Sequence, residues 1–137
     1  LVGHAVLIEG TKKKIKELKL ENNVMLLGNI DYIPSILSAL DIFLFPSLYE
    51  GFPNAVSEAQ RSGVPCLISN TITNEVVITP HCVTLDLNLS SKIWAEELLK
   101  LDYKINRELG ATTGKDKGFS VENEINKIQE IYEELIN

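Results

Sequence analysis

Short, continuously apolar runs alternate with amphipathic stretches along this chain, and the alternation defines its elements. Leu1 to His4 reads as the tail of a buried strand followed by a glycine turn. From Ala5 to Leu20, apolar residues at Leu7, Ile8, Ile15, Leu18 and Leu20 predict a helix with a charged outer face, weakened in the middle by Gly10. The run Asn23 to Asn29, ended by Gly28, predicts a strand covered on both faces. Ile33, Ile36, Leu37 and Leu40 share one helical face, with Asp31 able to cap and Pro34 tolerable only in a first turn.

The same reading continues along the chain. Asp41 to Ser47 (DIFLFPS) is a second apolar run, stopped by Pro46. Pro53 to Gly63 predicts a helix with proline near its first position and glycine as its C-terminal stop. Val64 to Asn70 predicts another buried strand, and the run NEVVIT, Asn74 to Thr79, stands open between a short helix and a strand. Cys82 to Leu87 predicts a strand, and Ser90 to Leu101 a helix capped by Ser90 or Ser91. Gly110 to Gly118, with three glycines, reads as a polar loop, and Ser120 to Ile136 returns to a helical period. Buried strands alternating with amphipathic helices predict a doubly wound α/β fold, Rossmann-like, with a parallel sheet and helices on both faces.

Composition narrows the function. The 137 residues carry a net charge of −6, which excludes the positive footprint that non-specific nucleic-acid binding needs. Lys12 to Lys14 stand among glutamates and read as a solvated helix face. Cys66 and Cys82 lie in apolar stretches and read as buried free thiols rather than as a disulfide framework. No apolar run reaches the length of a membrane span. The chain begins at Leu1 without methionine, so it is expected to be a piece of a longer polypeptide, a single domain over residues 1–137.

The most informative stretch is FPSLYEGFPNAVSEAQ, Phe45 to Gln60. In doubly wound sheets, ligands sit beyond the C-terminal strand ends, where loops feed helix N-termini. Pro53 at the start of the helix leaves the amides around Phe52, Asn54 and Ala55 without intrahelical partners, an anion site suited to a phosphate. Gly51 removes a Cβ that would hold a ligand off the backbone. Glu58, about 8 Å along the helix at 1.5 Å per residue, offers two acceptor oxygens matched to a ribose diol. Glu50, in the loop, points toward whatever hangs from the far phosphate. Equally, Glu50 can balance the helix N-terminus and Glu58 can pair with Arg61.

The order strand, Pro46-Ser47, Glu50, seven residues, Glu58, then Gly63-Val64-Pro65 and a further strand resembles the hallmark of family 4 glycosyltransferases of the GT-B fold. The likeness extends upstream to the Val2-Gly3 strand end and the strand closed by Leu27-Gly28. It continues downstream to about Leu101, where the sequence is similar to bacterial capsule and exopolysaccharide members. The resemblance implies the donor-binding, C-terminal half of a two-domain enzyme. Such an enzyme transfers a sugar, with retention, from a nucleotide-sugar such as a UDP- or GDP-sugar to an acceptor hydroxyl in polysaccharide or glycolipid synthesis.

In that family the first glutamate and the following Gly-Phe contact the donor sugar and distal phosphate, and the second glutamate holds the ribose. Those roles carry onto Glu50 (the implied catalytic residue), Gly51, Phe52 and Glu58. The loop Gly28-Asn29-Ile30 resembles the one that holds the base, and Ser47, Asn54 and Ala55 line the same cleft. No metal or cofactor is expected. The implied partners are the nucleotide-sugar, an N-terminal domain of the same polypeptide and a glycan or lipid-linked acceptor. The expected location is the cytoplasm, with peripheral contact at the inner membrane face.

Two departures stand out. His4-Ala5 replaces the pair that usually follows Val-Gly, and the family's diphosphate-neutralising Arg and Lys would precede Leu1. A nucleotide-sugar epimerase of the same fold and a non-catalytic Rossmann-like module remain alternatives. A receiver-like module would need an acidic cluster at the strand ends, which Asp31, Asp41 and Asp86 do not form.

Overall fold

The computed structural model describes residues 8–102 and 106–136. It comprises two compact units, residues 1–36 and 37–137. In the first, helix α1 (Ile8–Glu17) ends on Lys19, held at φ 56°. The Leu20 amide reaches back to the Ile15 carbonyl (3.0 Å) and the Lys19 amide to Lys16 (3.1 Å), closing the last turn. Lys12 pairs with Glu9 at 2.7 Å on the open face of this helix, so the lysine run is the solvated surface its neighbours implied. His4 and the Leu1–His4 strand end lie outside the described residues.

The strand expected over Asn23 to Asn29 is not formed. Only a single bridge at Gly28 is present, and Met25 and Leu27 are 71% and 38% exposed. A parallel strand is stabilised by cover on both faces, and a run this open to solvent lacks it. Helix α2 (Ile33–Ala39) follows, with Pro34 in its first turn as required.

The second unit is built on a three-stranded parallel sheet in the order β1 (Phe43–Phe45), β2 (Cys66–Ser69), β3 (Cys82–Leu85). The register sets Phe45 beside Ile68 and Cys66 beside Cys82. Every residue of the central strand β2 is buried. Between β1 and β2 runs α3 (Asn54–Arg61), and between β2 and β3 a 3-10 turn (Asn74–Val76), which resolves the open NEVVIT reading. Helix α4 (Ser91–Lys100) is capped by Ser90, whose hydroxyl accepts from the Ile93 amide at 3.4 Å. The Trp94 indole donates to the Asp86 carbonyl at 3.1 Å, tying that helix to the end of β3. The core is Val56, Ala59, Val64, Leu67, Ile68 and Val76, each at most 1% exposed.

Helix α3 ends as its sequence dictates. Gly63 takes φ +76°, the Val64 amide bonds back to Ala59 (3.0 Å) and the Gly63 amide to Gln60 (2.9 Å). That double closure satisfies the last carbonyls and seats Val64 in the core. The polar loop expected over Gly110 to Gly118 is instead largely helix α5 (Arg107–Asp116), capped by Asn106. Its glycines serve contact rather than turning. A Cβ on Gly110 would stand 2.5 Å from the Gln60 carbonyl oxygen, and one on Gly114 2.8 Å from Arg61 Cγ. The two helices meet backbone to backbone, and that packing outweighs the low helix propensity of glycine. Helix α6 (Val121–Ile136) closes the chain. Its Ile125, Ile128, Ile131, Tyr132 and Leu135 are all more than half exposed.

Gln60 is the polar centre of this unit. Its side chain is fully buried and wholly satisfied: the amide nitrogen donates to Val56 O (3.2 Å) and Val76 O (2.7 Å). Its oxygen accepts from the amides of Ile78 (2.8 Å) and Thr79 (2.9 Å). One helical side chain thus stands in for a strand partner to the segment that leads into β3.

Candidate functional site

The loop from Pro46 to Phe52 leaves the C-terminal end of β1 and enters α3 at Pro53, a buried residue with φ −77° and ψ 95°. Proline brings no side-chain cap, and its carbonyl takes the amides of Val56 (3.0 Å) and Ser57 (3.3 Å). The amides of Asn54 and Ala55, on exposed residues, therefore have no partner within the helix. They are the positive end of the helix dipole, open to an anion. A Cβ on Gly51 would meet nothing within 4 Å, so packing does not demand glycine there.

The two glutamates differ in setting. Glu50 is half-buried and accepts from the Ser47 hydroxyl at 3.1 Å. The same hydroxyl lies 3.3 Å from the Tyr49 carbonyl. Glu58 is exposed on the first turns of α3, and its carboxylate has no hydrogen-bond or ion-pair partner among the described residues. The pairing with Arg61 that spacing permits is not made, because the Arg61 stem lies along Gly114 of α5. Glu58 is left with both oxygens available.

Ser47 is itself gripped from β2. Its carbonyl accepts from the Ser69 hydroxyl and from Thr71 Oγ1 (2.8 Å), and the two hydroxyls are 3.0 Å apart. Neither residue stands out in the sequence. Their place just past a parallel strand's C-terminal end, the edge where ligands bind, is the available signal.

Phe52 turns from the loop to stack on Phe119, ring centres 5.8 Å apart and 22° from parallel, remaining 40% exposed. A cavity of about 460 Å³ opens between α3 and α6, lined by Phe52, Asn54, Glu58, Arg61, Phe119 and Ile125 among others. Phe119 is another residue that the sequence does not flag. The structure thus brings Ser47 to Glu50, and Phe52, Asn54 and Glu58 to one cavity, while Ala55 opens the same helix end. Gly28, at φ +64°, with Asn29 and Ile30, belongs to the first unit.

Cys66 and Cys82 are both free and buried, side by side in the register of β2 and β3. The Cys82 sulfur and burial push the Cys66 thiol up, while the hydrogen bond from Cys66 draws Cys82 down against its own burial. Asp86 spends its carboxylate on the Asn88 amide (2.9 Å). No group of three or more His, Cys, Asp or Glu stands together among the described residues, and no helix there is long and apolar enough to cross a membrane.

Comparison with known proteins agrees with this architecture. The chain is 31% identical, over 99% of its length, to the Escherichia coli UDP-Gal:alpha-D-GlcNAc-diphosphoundecaprenol alpha-1,3-galactosyltransferase, covering 36% of that protein. It is 29% identical, over 85% of its length, to the Staphylococcus aureus capsular polysaccharide biosynthesis glycosyltransferase CapH, covering 32% of it. The chain therefore spans roughly a third of these curated relatives. The crystal structure of Anabaena HepE in complex with UDP superposes with a TM-score of 0.71 at 20% identity, over 98% of this chain and 39% of that one. The fold is thus α/β, a parallel sheet with helices, and matches part of a GT-B glycosyltransferase. The profile of the family described as Glycosyl transferases group 1 matches residues 2–101, and the chain belongs to that family.

Proposed function

We propose that this chain is the donor-binding part of a retaining glycosyltransferase acting in polysaccharide or glycolipid synthesis at the cytoplasmic side of a membrane. Its donor is a nucleotide-sugar, such as a UDP- or GDP-sugar. The observation that carries the reading is the junction at Pro53, where unpartnered Asn54 and Ala55 amides stand between Glu50 and Glu58 at the C-terminal edge of a parallel sheet. The amides take the diphosphate, and the free Glu58 carboxylate takes two ribose hydroxyls. Glu50 accepts from the sugar whose bond to phosphate breaks. Preorganised donors at the departing phosphate favour the transition state because charge grows there. No metal or cofactor has a part in this scheme, and the remainder of the enzyme supplies the acceptor site.

Titration with UDP and GDP, followed by amide NMR, tests the reading. Shifts should concentrate at residues 47–58. Glu58→Ala loses two hydrogen bonds of about 0.5–1.5 kcal/mol each, weakening nucleotide affinity about 5- to 150-fold. Shifts centred elsewhere, or unchanged affinity in Glu58→Ala, would overturn it.

A further inference from the structure

The loop that carries Glu50 is open to solvent at its tip, with Leu48 81% and Tyr49 83% accessible. Such a segment holds a carboxylate in one place only if its backbone is fixed from outside. Ser47 is the fixed point. Its side chain reaches forward to Glu50 (3.1 Å), and its carbonyl is the acceptor for hydroxyls on the neighbouring strand's exit. β1 and β2 are in register up to Phe45 and Ile68, and beyond that pair the ladder ends. The clasp joins the two chains where the ladder stops.

We propose that Ser69 and Thr71 are positioning residues for Glu50, their hydroxyls holding the Ser47 carbonyl so that the Ser47 hydroxyl holds the carboxylate. The proposal rests on the donor-site reading, in which Glu50 faces the transferred sugar, and extends it to a second strand. The hydroxyl protons can all be placed. Ser69 donates to Ser47 O, and Thr71 donates to the same oxygen's second lone pair at 2.8 Å. With both lone pairs of one carbonyl engaged, the Ser47–Leu48 peptide plane is fixed and with it the direction of the Ser47 side chain. Ser69 is fully buried and finds its acceptor only in this loop, whereas Thr71 is exposed and replaceable without disturbing the core. The positioning acts on the sugar end of the ligand alone, since Glu58 and the α3 amides are held by the helix.

The test compares Thr71→Val, which keeps the shape and loses the donor, Thr71→Ser, which restores it, and the Ser69→Ala/Thr71→Val double variant. Amide spectra report the loop directly, and dissociation constants for UDP and UDP-galactose report the two ends of the ligand. Residues 47–50 should shift in the double variant while residues 54–58 stay. The UDP-galactose to UDP ratio of dissociation constants should rise at least about fivefold, with UDP itself within about twofold of wild type. Thr71→Ser should behave as wild type, and in a Glu50→Ala background the double variant should add nothing to the ratio.

Unmoved resonances at 47–50, equal weakening of both ligands, or failure of Thr71→Ser to restore the ratio would each overturn the proposal. If the wild-type protein binds neither UDP nor GDP, the donor-site reading falls. The spectra of residues 47–50 then still decide whether the clasp holds the loop.

Discussion

Replacing Gln60 with methionine probes the polar centre of the fold. The side chain keeps its length and loses every polar atom. The Ile78 and Thr79 amides and the Val76 carbonyl, now paired at 2.7–2.9 Å, are left without a partner in a region closed to water. A buried backbone group deprived of its partner costs about 1–3 kcal/mol. Three of them in one network do not add in full, so the expected loss is about 3–5 kcal/mol. That is a large part of the roughly 5–15 kcal/mol that holds a domain folded. With a urea m-value of about 1–3 kcal/mol/M, the unfolding midpoint should fall by at least about 1 M. Gln129→Met on the exposed face of α6 is the control and should stay within about 0.5 kcal/mol. A midpoint for Gln60→Met within about 0.3 M of wild type, at unchanged slope, would refute the argument.

Two further outcomes follow from contacts already described. Gly110→Ala gains helix propensity of about 1 kcal/mol but drives a Cβ into the α3 backbone, costing more, so its Tm should fall; Gly10→Ala, with nothing within 4 Å, should raise it. Reversal of either sign in thermal melts would show that the α3–α5 contact does not decide. Above the ordinary thiol range of about pH 8.5, the unfolded chain releases both cysteine protons while the fold, with Cys66 pushed up, releases one. Unfolded protein then binds fewer protons, so stability should decline with rising pH by up to about 1.4 kcal/mol per unit. Replacing both Cys66 and Cys82 with alanine should flatten that decline relative to wild type in urea titrations across the alkaline range.

Where one element's own residues determined the outcome, the sequence was a good guide. The apolar run at Phe43–Phe45, the proline entry to α3 and the glycine exit at Gly63 each act within a few residues, and each is where its pattern placed it. Helix α5 was not legible because glycines in a polar stretch mark turns locally, whereas here they admit another helix's backbone. The Asn23–Asn29 run failed the other way, an apolar pattern without the cover a strand requires. At the site, the spacing of Glu50 and Glu58 identified the loop and helix end, but not what fixes them. Ser69 and Thr71 lie 22 and 24 residues from Ser47 and carry no periodic signal. Gln60 reads as one more polar residue on an amphipathic helix, and only the fold of residues 76–79 reveals it as buried.

Helix α6 also governs how the protein behaves in bulk solution. Five of its sixteen residues are glutamates against a single lysine, so this one segment carries most of the chain's charge of −6. The same helix shows water a row of isoleucines, a tyrosine and leucine. Repulsion among the carboxylates keeps two such rows apart, and its reach shrinks from about 30 Å at 0.01 M salt to about 3 Å at 1 M. The apolar attraction is not screened in this way and strengthens with excluded salts such as sulfate. Concentrated stocks are therefore best kept dilute in electrolyte and well above the pI near 4.9, since acid or salting-out conditions remove the one force that disperses the molecules.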